Sequence, residues 1–254
     1  MSIRASIAQT LGSLSSRNYR IYSVGQGLSL IGTWMQQVAM AWLVYRMTDS
    51  AWWLGIVGFA GRIPVLPPPP IGGVVAHRFS RKRILYVTNS IAALQATTMA
   101  VLVLGGRVEV WHVVALSMVL GVIDAFDIPA RQAWFIHMID DPADVGNAIA
   151  LNSTIFNAAR LIGPSIAGLL IAATGEGVVF AVNALTYTSM LIALARIETH
   201  EAPQDRSQNV VRNLLEGFDW AWKFIPVRDV LLLMTLISFL AVPFAVLMPV
   251  FATE

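Results

Sequence analysis

The sequence predicts an all-α integral membrane protein, with six transmembrane helices in one bundle, a connector and a seventh transmembrane helix. Three observations carry that prediction. Seven apolar stretches each approach the 20 or so residues that a helix needs to cross roughly 30 Å of hydrocarbon. Only 13% of the 254 residues are charged, against about 25% in an ordinary soluble domain, and the mean hydropathy is +0.66. The bases are also one-sided. Thirteen Lys and Arg fall before the first span or in alternate loops, and only Arg46 and Arg107 fall in the loops between. The positive-inside rule then puts the N-terminus in the cytoplasm and the C-terminus of this chain outside, in a multi-pass protein of the cell (inner) membrane.

The first span, Ile21 to Tyr45, follows Arg4, Arg17 and Arg20. No short apolar segment with a small-residue cleavage site precedes it, so the span itself is expected to direct insertion. Gln26, Thr33 and Gln37 fall within about 40° of one another at 100° per residue and form one polar stripe. Uncharged polar side chains in lipid seek another helix or water, so the stripe fits helix packing or the wall of a cavity. The second span, Trp52 to Ala76, carries Arg62 and then Pro67 to Pro70. Four prolines remove four amide donors, which predicts a kink or break. Ile84 to Leu104 and Trp111 to Ala130 are the third and fourth spans, and Trp52, Trp53 and Trp111 suit the outer interface. Asp124 lies about 10 Å from the inner end of the fourth span, with Asp127 one turn closer to water.

The fifth span, Ala148 to Ala173, contains Arg160, Gly163, Pro164 and Gly168; the two glycines and the proline favour close helix contact and a bend. The sixth is Val178 to Ala195. In the connector, residues 197–228, the side chains of Val211, Leu214, Leu215, Phe218, Trp222 and Ile225 share one helical face. That face suits a helix in the inner membrane interface or one packed in a soluble segment. The seventh span, Val230 to Val250, is followed only by Phe251, Ala252, Thr253 and Glu254. Six spans, a connector and one lone span read as a chain cut short, with residues 229–254 opening a second half.

Arg62 and Arg160 are each expected near the membrane midplane, where an Arg costs at least about 2.5 to 3.5 kcal/mol on insertion scales. Such residues face a cavity or a partner. They fit a central cavity that favours an anionic substrate, or a structural ion pair such as Arg160 with Asp124. Asp124 is also a candidate proton carrier, and Asp127 a helix cap or a contact of the basic loop.

The loop after the second span supplies Gly73, His77, Arg78, Ser80, Arg81, Lys82 and Arg83. This resembles the Gly-x-x-x-Asp-Arg-x-Gly-Arg-Lys/Arg signature of the major facilitator superfamily. Arg160 to Gly168 resembles the Gly-Pro motif of facilitator-type proton antiporters. Gly32 to Gln37, Asp124 to Gln132 and Asn147 to Asn152 are similar to phrases of the exporter branch that includes enterobactin-type siderophore exporters and transmembrane secretion effectors. The resemblance implies a six-helix facilitator bundle built as 3+3 inverted repeats, from a protein that usually has twelve spans. It also implies proton-coupled export of a small molecule, such as a siderophore or drug-like compound, by alternating access. In that family the loop acid joins a charge network that latches the two halves; here His77 replaces it, and Asp124 and Asp127 are candidate substitutes. The other reading of the basic loop is plain anchoring in anionic headgroups.

The partners implied are membrane lipids, a small-molecule substrate, with an anionic one suggested by the two arginines, and a proton as coupling ion, with oligomeric state left open. Nucleic acid is not expected, because the bases sit at membrane ends. No cofactor or metal is called for: there are no cysteines, and His77, His112, His137 and His200 lie at or beyond span ends. The same placement argues against an intramembrane hydrolase. A retinal protein would need a Lys in the seventh span, which has none. The rival to a transporter is a transport-incompetent remnant or a membrane assembly partner.

Overall fold

The computed structural model describes residues 13–65, 80–198, 219–220, 222–230 and 232–234. Helices follow the apolar runs, and local chemistry sets their ends. Helix α1 (Arg17–Thr48) stops at Asp49, whose φ of 47° turns the chain while its N–H reaches the Tyr45 carbonyl at 2.7 Å. Helix α2 (Ala51–Arg62) runs into a 3-10 turn at Ile63–Val65. Helix α3 (Arg81–Leu104) starts at Ser80, whose hydroxyl accepts the Arg83 N–H at 3.2 Å. Helix α4 (Val110–Trp134) opens with a capping box in which His112 Nδ1 accepts the Glu109 N–H at 3.1 Å. This gives one of the span-end histidines a structural task. Helix α4 also continues through Pro129, past the expected end at Ala130. Helices α5 (Val145–Thr174) and α6 (Glu176–Arg196) are separated by Gly175 alone, at a φ of 85° that favours glycine.

Four stretches, Arg81–Leu104, Val110–Met138, Pro142–Thr174 and Glu176–Arg196, are long and apolar enough to cross a membrane by length and composition. Helix α1 is long enough, since 32 residues rise about 48 Å, but it carries more polar side chains than those four. The reason is its position. More of its residues are buried than in any other described helix, and Ser23, Gln26, Ser29 and Gln36 are among them. Of the seven spans read from the sequence, four therefore meet the criterion among the described residues. Of the expected second span, only Trp52 to Arg62 is described as α-helix. Pro67 to Pro70, Gly73, His77, Arg78, nearly all of the seventh span and most of the connector lie outside the described residues. Within the connector, Trp220 stacks on Phe224 with ring centroids 5.3 Å apart.

The strongest helix pairings are α1 with α6, α3 with α6, α1 with α5, α3 with α4 and α2 with α4. Exchanging α1, α2 and α3 for α4, α5 and α6 carries this set onto itself. Close backbone approach makes several contacts possible. A side chain on Gly121 of α4 would collide with the Gly61 carbonyl of α2, and its Cβ would lie 2.9 Å from Pro64 Cδ. Because lipid is as apolar as the helix faces, such contacts gain dispersion energy and hydrogen bonds rather than hydrophobic transfer energy. Two apolar clusters occupy the ends of the bundle. One is built on Met35, Leu43, Met99 and Phe180, the other on Tyr19, Tyr22, Trp134 and Leu194.

Candidate functional site

Between these clusters lies a smaller apolar one around Ala92, Ala96 and Ile123, and beside it the interior is polar. Gln36 of α1 donates to Gln95 Oε1 of α3 at 2.9 Å and accepts from Asn183 Nδ2 of α6 at 2.6 Å. Gln95 donates to the Leu116 carbonyl of α4 at 3.3 Å, and the Thr186 hydroxyl donates to Asn183 Oδ1 at 2.9 Å. One chain of hydrogen bonds thus crosses four helices at mid-depth. Its amides are fully buried, and each amide group in the chain has a partner.

Beside this network lies a charged group. Asp127 of α4 is buried and accepts from the Thr88 hydroxyl at 2.7 Å and from Asn89 Nδ2 at 3.0 Å, both on α3. Its other carboxylate oxygen takes the Arg131 guanidinium one turn away. Asp124 occupies the same side of α4 as Ser117, whose hydroxyl touches Met40 of α1 at 2.9 Å. Asp124 nevertheless stays exposed. The carboxylate lies within electrostatic reach of Asp127, Arg131 and Arg62, the last residue of α2, and of Tyr187 on α6. It makes no ion pair within 4 Å with any described residue.

The residues read from the sequence divide accordingly. Asp124 and Arg62 lie within electrostatic reach of each other across α2 and α4. Arg160 of α5 does not join them: it is exposed and its guanidinium carbon lies 5.5 Å from the centre of the Trp34 ring, which meets Phe156 edge-on at 5.7 Å. No Arg160–Asp124 ion pair forms. Gln26 is buried and donates weakly to Asn152 Oδ1 at 3.5 Å, leaving its own Oε1 without a partner. The Thr33 hydroxyl donates to the Ser29 carbonyl at 2.9 Å and lies 3.4 Å from the Tyr187 hydroxyl. Gln37 is exposed, while its neighbour Gln36 carries the network.

Of the basic loop, the described part ties helix ends together. Arg81 Nη1 donates to the Ala133 carbonyl at 3.3 Å and lies 3.2 Å from His137 Nε2, and Lys82 Nζ donates to the Ile197 carbonyl at 2.7 Å. These bonds place cations at the C-terminal ends of α4 and α6, where carbonyls lack helical partners. The Arg83 side chain is exposed. On α5, a Cβ at Gly163 would lie 2.6 Å from Trp34 Cβ and 2.9 Å from the Ile31 carbonyl. Gly168 has nothing within 4 Å, and Pro164 lies inside the continuous helix.

Sequence reasoning missed Gln36, Gln95, Asn183 and Tyr187. Their signal was present as polar side chains in the middle of apolar spans, which demand partners. Gln95, Asn183 and Tyr187 lie on spans other than the one whose polar stripe was read, and Gln36 lies 100° round the helix from that stripe's Gln37. Arg131 was counted as a topological charge, whereas it neutralises Asp127.

Comparison with known proteins bears on this arrangement as a whole. The family model described as transmembrane secretion effector matches residues 8–254. The staphyloferrin A transporter of Staphylococcus aureus is 27% identical over 184 residues, covering 71% of this chain and 46% of the relative. The multidrug efflux pump Tap of Mycolicibacterium fortuitum is 29% identical over 211 residues, 79% of this chain and 51% of the relative. Macrolide efflux protein A of Streptococcus pyogenes is 23% identical over 239 residues, 93% of this chain and 58% of the relative. No solved structure gives a significant match. The chain spans about half the length of the curated relatives it matches. A family match over nearly the whole sequence, on an all-α bundle of long apolar helices with a polar, charged interior, settles the family: the chain belongs to the transmembrane secretion effectors, a family of major facilitator-type transporters.

Proposed function

We propose that the chain serves secondary active export of a small molecule, coupled to protons, by alternating access around Asp124 and Arg62. The observation that carries this reading is Asp124: an exposed carboxylate within a span, in electrostatic reach of Arg62 on another helix but bound to no described cation. A carboxylate so placed can take up a proton and release it as the surrounding charges rearrange. Arg62 offers a counter-charge in one state and an anion-binding group in another. Arg160 on Trp34 supplies a second cationic and aromatic surface, suited to an anionic or aromatic substrate. Relatives named for staphyloferrin A, multidrug and macrolide transport support an exported siderophore or drug-like compound.

In this reading residues 21–196 form a six-helix bundle of two inverted three-helix repeats, which the pairwise exchange symmetry of the contacts supports. Residues 197–228 form a cytoplasmic connector and residues 229–254 open a second half. The N-terminus is cytoplasmic, so Arg81, Lys82 and Arg83 lie on the inner side, and the loop from Gly73 through His77 and Arg78 acts as a gate with Asp127. Gly163, Pro164 and Gly168 form the bend of α5.

The test is Asp124→Asn against wild type at matched protein level, in inverted membrane vesicles supplied with a proton gradient and candidate siderophores or dyes. Wild-type transport with loss of gradient-driven movement in Asp124→Asn is expected. Gradient-driven transport that is unchanged in the variant would overturn the coupling role. Stable insertion without any transport by the wild-type chain would favour a membrane assembly partner instead.

A further inference from the structure

On the outer flank of the bundle, α1 and α6 enclose a groove of about 450 Å³ that the transport reading does not use. Its floor exists because Gly25 lets α1 approach α6 closely: a Cβ there would lie 2.6 Å from Ala193 Cβ and 3.1 Å from the Ser189 carbonyl. Val24 and Leu28 wall one side and Ile192 the other, all three about half exposed or more. Two arginines, Arg20 near the start of α1 and Arg196 at the end of α6, stand together at one mouth, and no acidic residue lines the groove. Arg20 makes one long contact, to the Leu14 carbonyl at 3.4 Å, and Arg196 makes none with a described residue.

We propose that this groove is a binding site for an anionic phospholipid of the inner leaflet, its phosphate held by Arg20 and Arg196 and one acyl chain lying along Val24, Leu28 and Ile192. The dimensions agree. From Arg20 to Leu28 is eight residues of helix, about 12 Å, which carries the groove from headgroup level well into the hydrocarbon. The chemistry agrees as well. Guanidinium groups bind phosphate with paired donors, and the inner leaflet supplies anionic lipid at the basic end of the protein. A zwitterionic lipid offers the same acyl chain without net charge, so discrimination between the two reads the arginines separately from the apolar wall.

The test is native mass spectrometry of the purified chain with phosphatidylglycerol and phosphatidylcholine of identical acyl chains. Wild type should retain phosphatidylglycerol preferentially, by roughly fivefold for each arginine. The double variant Arg20→Gln/Arg196→Gln should bind both lipids alike at an unchanged melting temperature in detergent. Ile192→Trp should reduce retention of both lipids with the arginines intact. In membranes, a photo-reactive phenylalanine introduced at Val24 should yield lipid adducts. Equal retention of the two lipids by wild type, or an undiminished preference in the double variant, would overturn the site. A Val24 adduct to a protein segment would also overturn it, by showing that a helix fills the groove.

Discussion

Replacing Gln36 by Leu keeps the volume and removes both hydrogen-bonding ends of the side chain at the centre of the bundle. Two buried atoms lose their partner: Gln95 Oε1, which accepted at 2.9 Å, and Asn183 Nδ2, which donated at 2.6 Å. Interhelical hydrogen bonds in membranes average about 0.6 kcal/mol and reach about 1.7, so Gln36→Leu should cost roughly 1 to 3 kcal/mol. Gln95→Leu strands Gln36 Nε2 and loses the bond to the Leu116 carbonyl. The double variant strands only Asn183 Nδ2, and the Leu116 bond is lost in both backgrounds, so it cancels. The singles together leave three atoms unpaired and the double leaves one. The double variant should therefore be about 1 to 3 kcal/mol more stable than the sum of the single effects predicts. Unfolding in mixed detergent micelles, followed by helical circular dichroism or steric trapping, measures all four corners of the cycle. Additivity within about 0.3 kcal/mol would refute the network as an energetic unit.

Three further outcomes are expected. Gly163→Ala should destabilise by about 1 to 3 kcal/mol, because its Cβ meets backbone and a Trp34 Cβ that cannot swing away, whereas Gly168→Ala, with open space, should be neutral or up to about 1 kcal/mol stabilising; thermal melts of both variants test this. In a full-length exporter of the kind proposed, Arg62→Ala or Arg160→Ala should abolish export while preserving membrane insertion, measured by vesicle transport at matched protein level. The chain has no cysteine, so Arg83→Cys and Arg107→Cys can be labelled without background by an impermeant maleimide. Arg107→Cys should react in intact cells and Arg83→Cys only in inverted vesicles.

Spans were legible in the sequence wherever length and hydropathy acted alone, as in α3, α4, α5 and α6. Helix α1 was legible as a long helix, but the polar side chains it buries against its neighbours were not. Hydropathy measures preference for lipid, and α1 gives up part of its lipid contact for packing on α5 and α6, so its buried Gln and Ser residues lower its score. Single charges in the site were visible because a charge in lipid requires a reason. Their partners were not, since pairing depends on which helices meet. Asp124 is within electrostatic reach of Arg62, 62 positions earlier, because α2 packs on α4 through Gly61 and Gly121. On α1 the polar stripe turned on choosing between adjacent residues. Gln36, one position from Gln37, points 100° away from it into the amide network.

The Gln36–Asn183 bond also sets a timetable for synthesis. The two residues are 147 positions apart, so a ribosome adding about 5 to 20 residues per second takes roughly 7 to 30 seconds to supply the second after the first. For that interval α1 carries polar side chains into the membrane with their eventual partners not yet made. Gln36 must then be held by water in the insertion channel, by an insertase or by a provisional neighbour until α6 arrives. Biogenesis of this bundle is thus expected to depend on a membrane chaperone more than the apolarity of its later helices would suggest. A Gln36→Leu chain, though less stable once folded, should need that chaperone less.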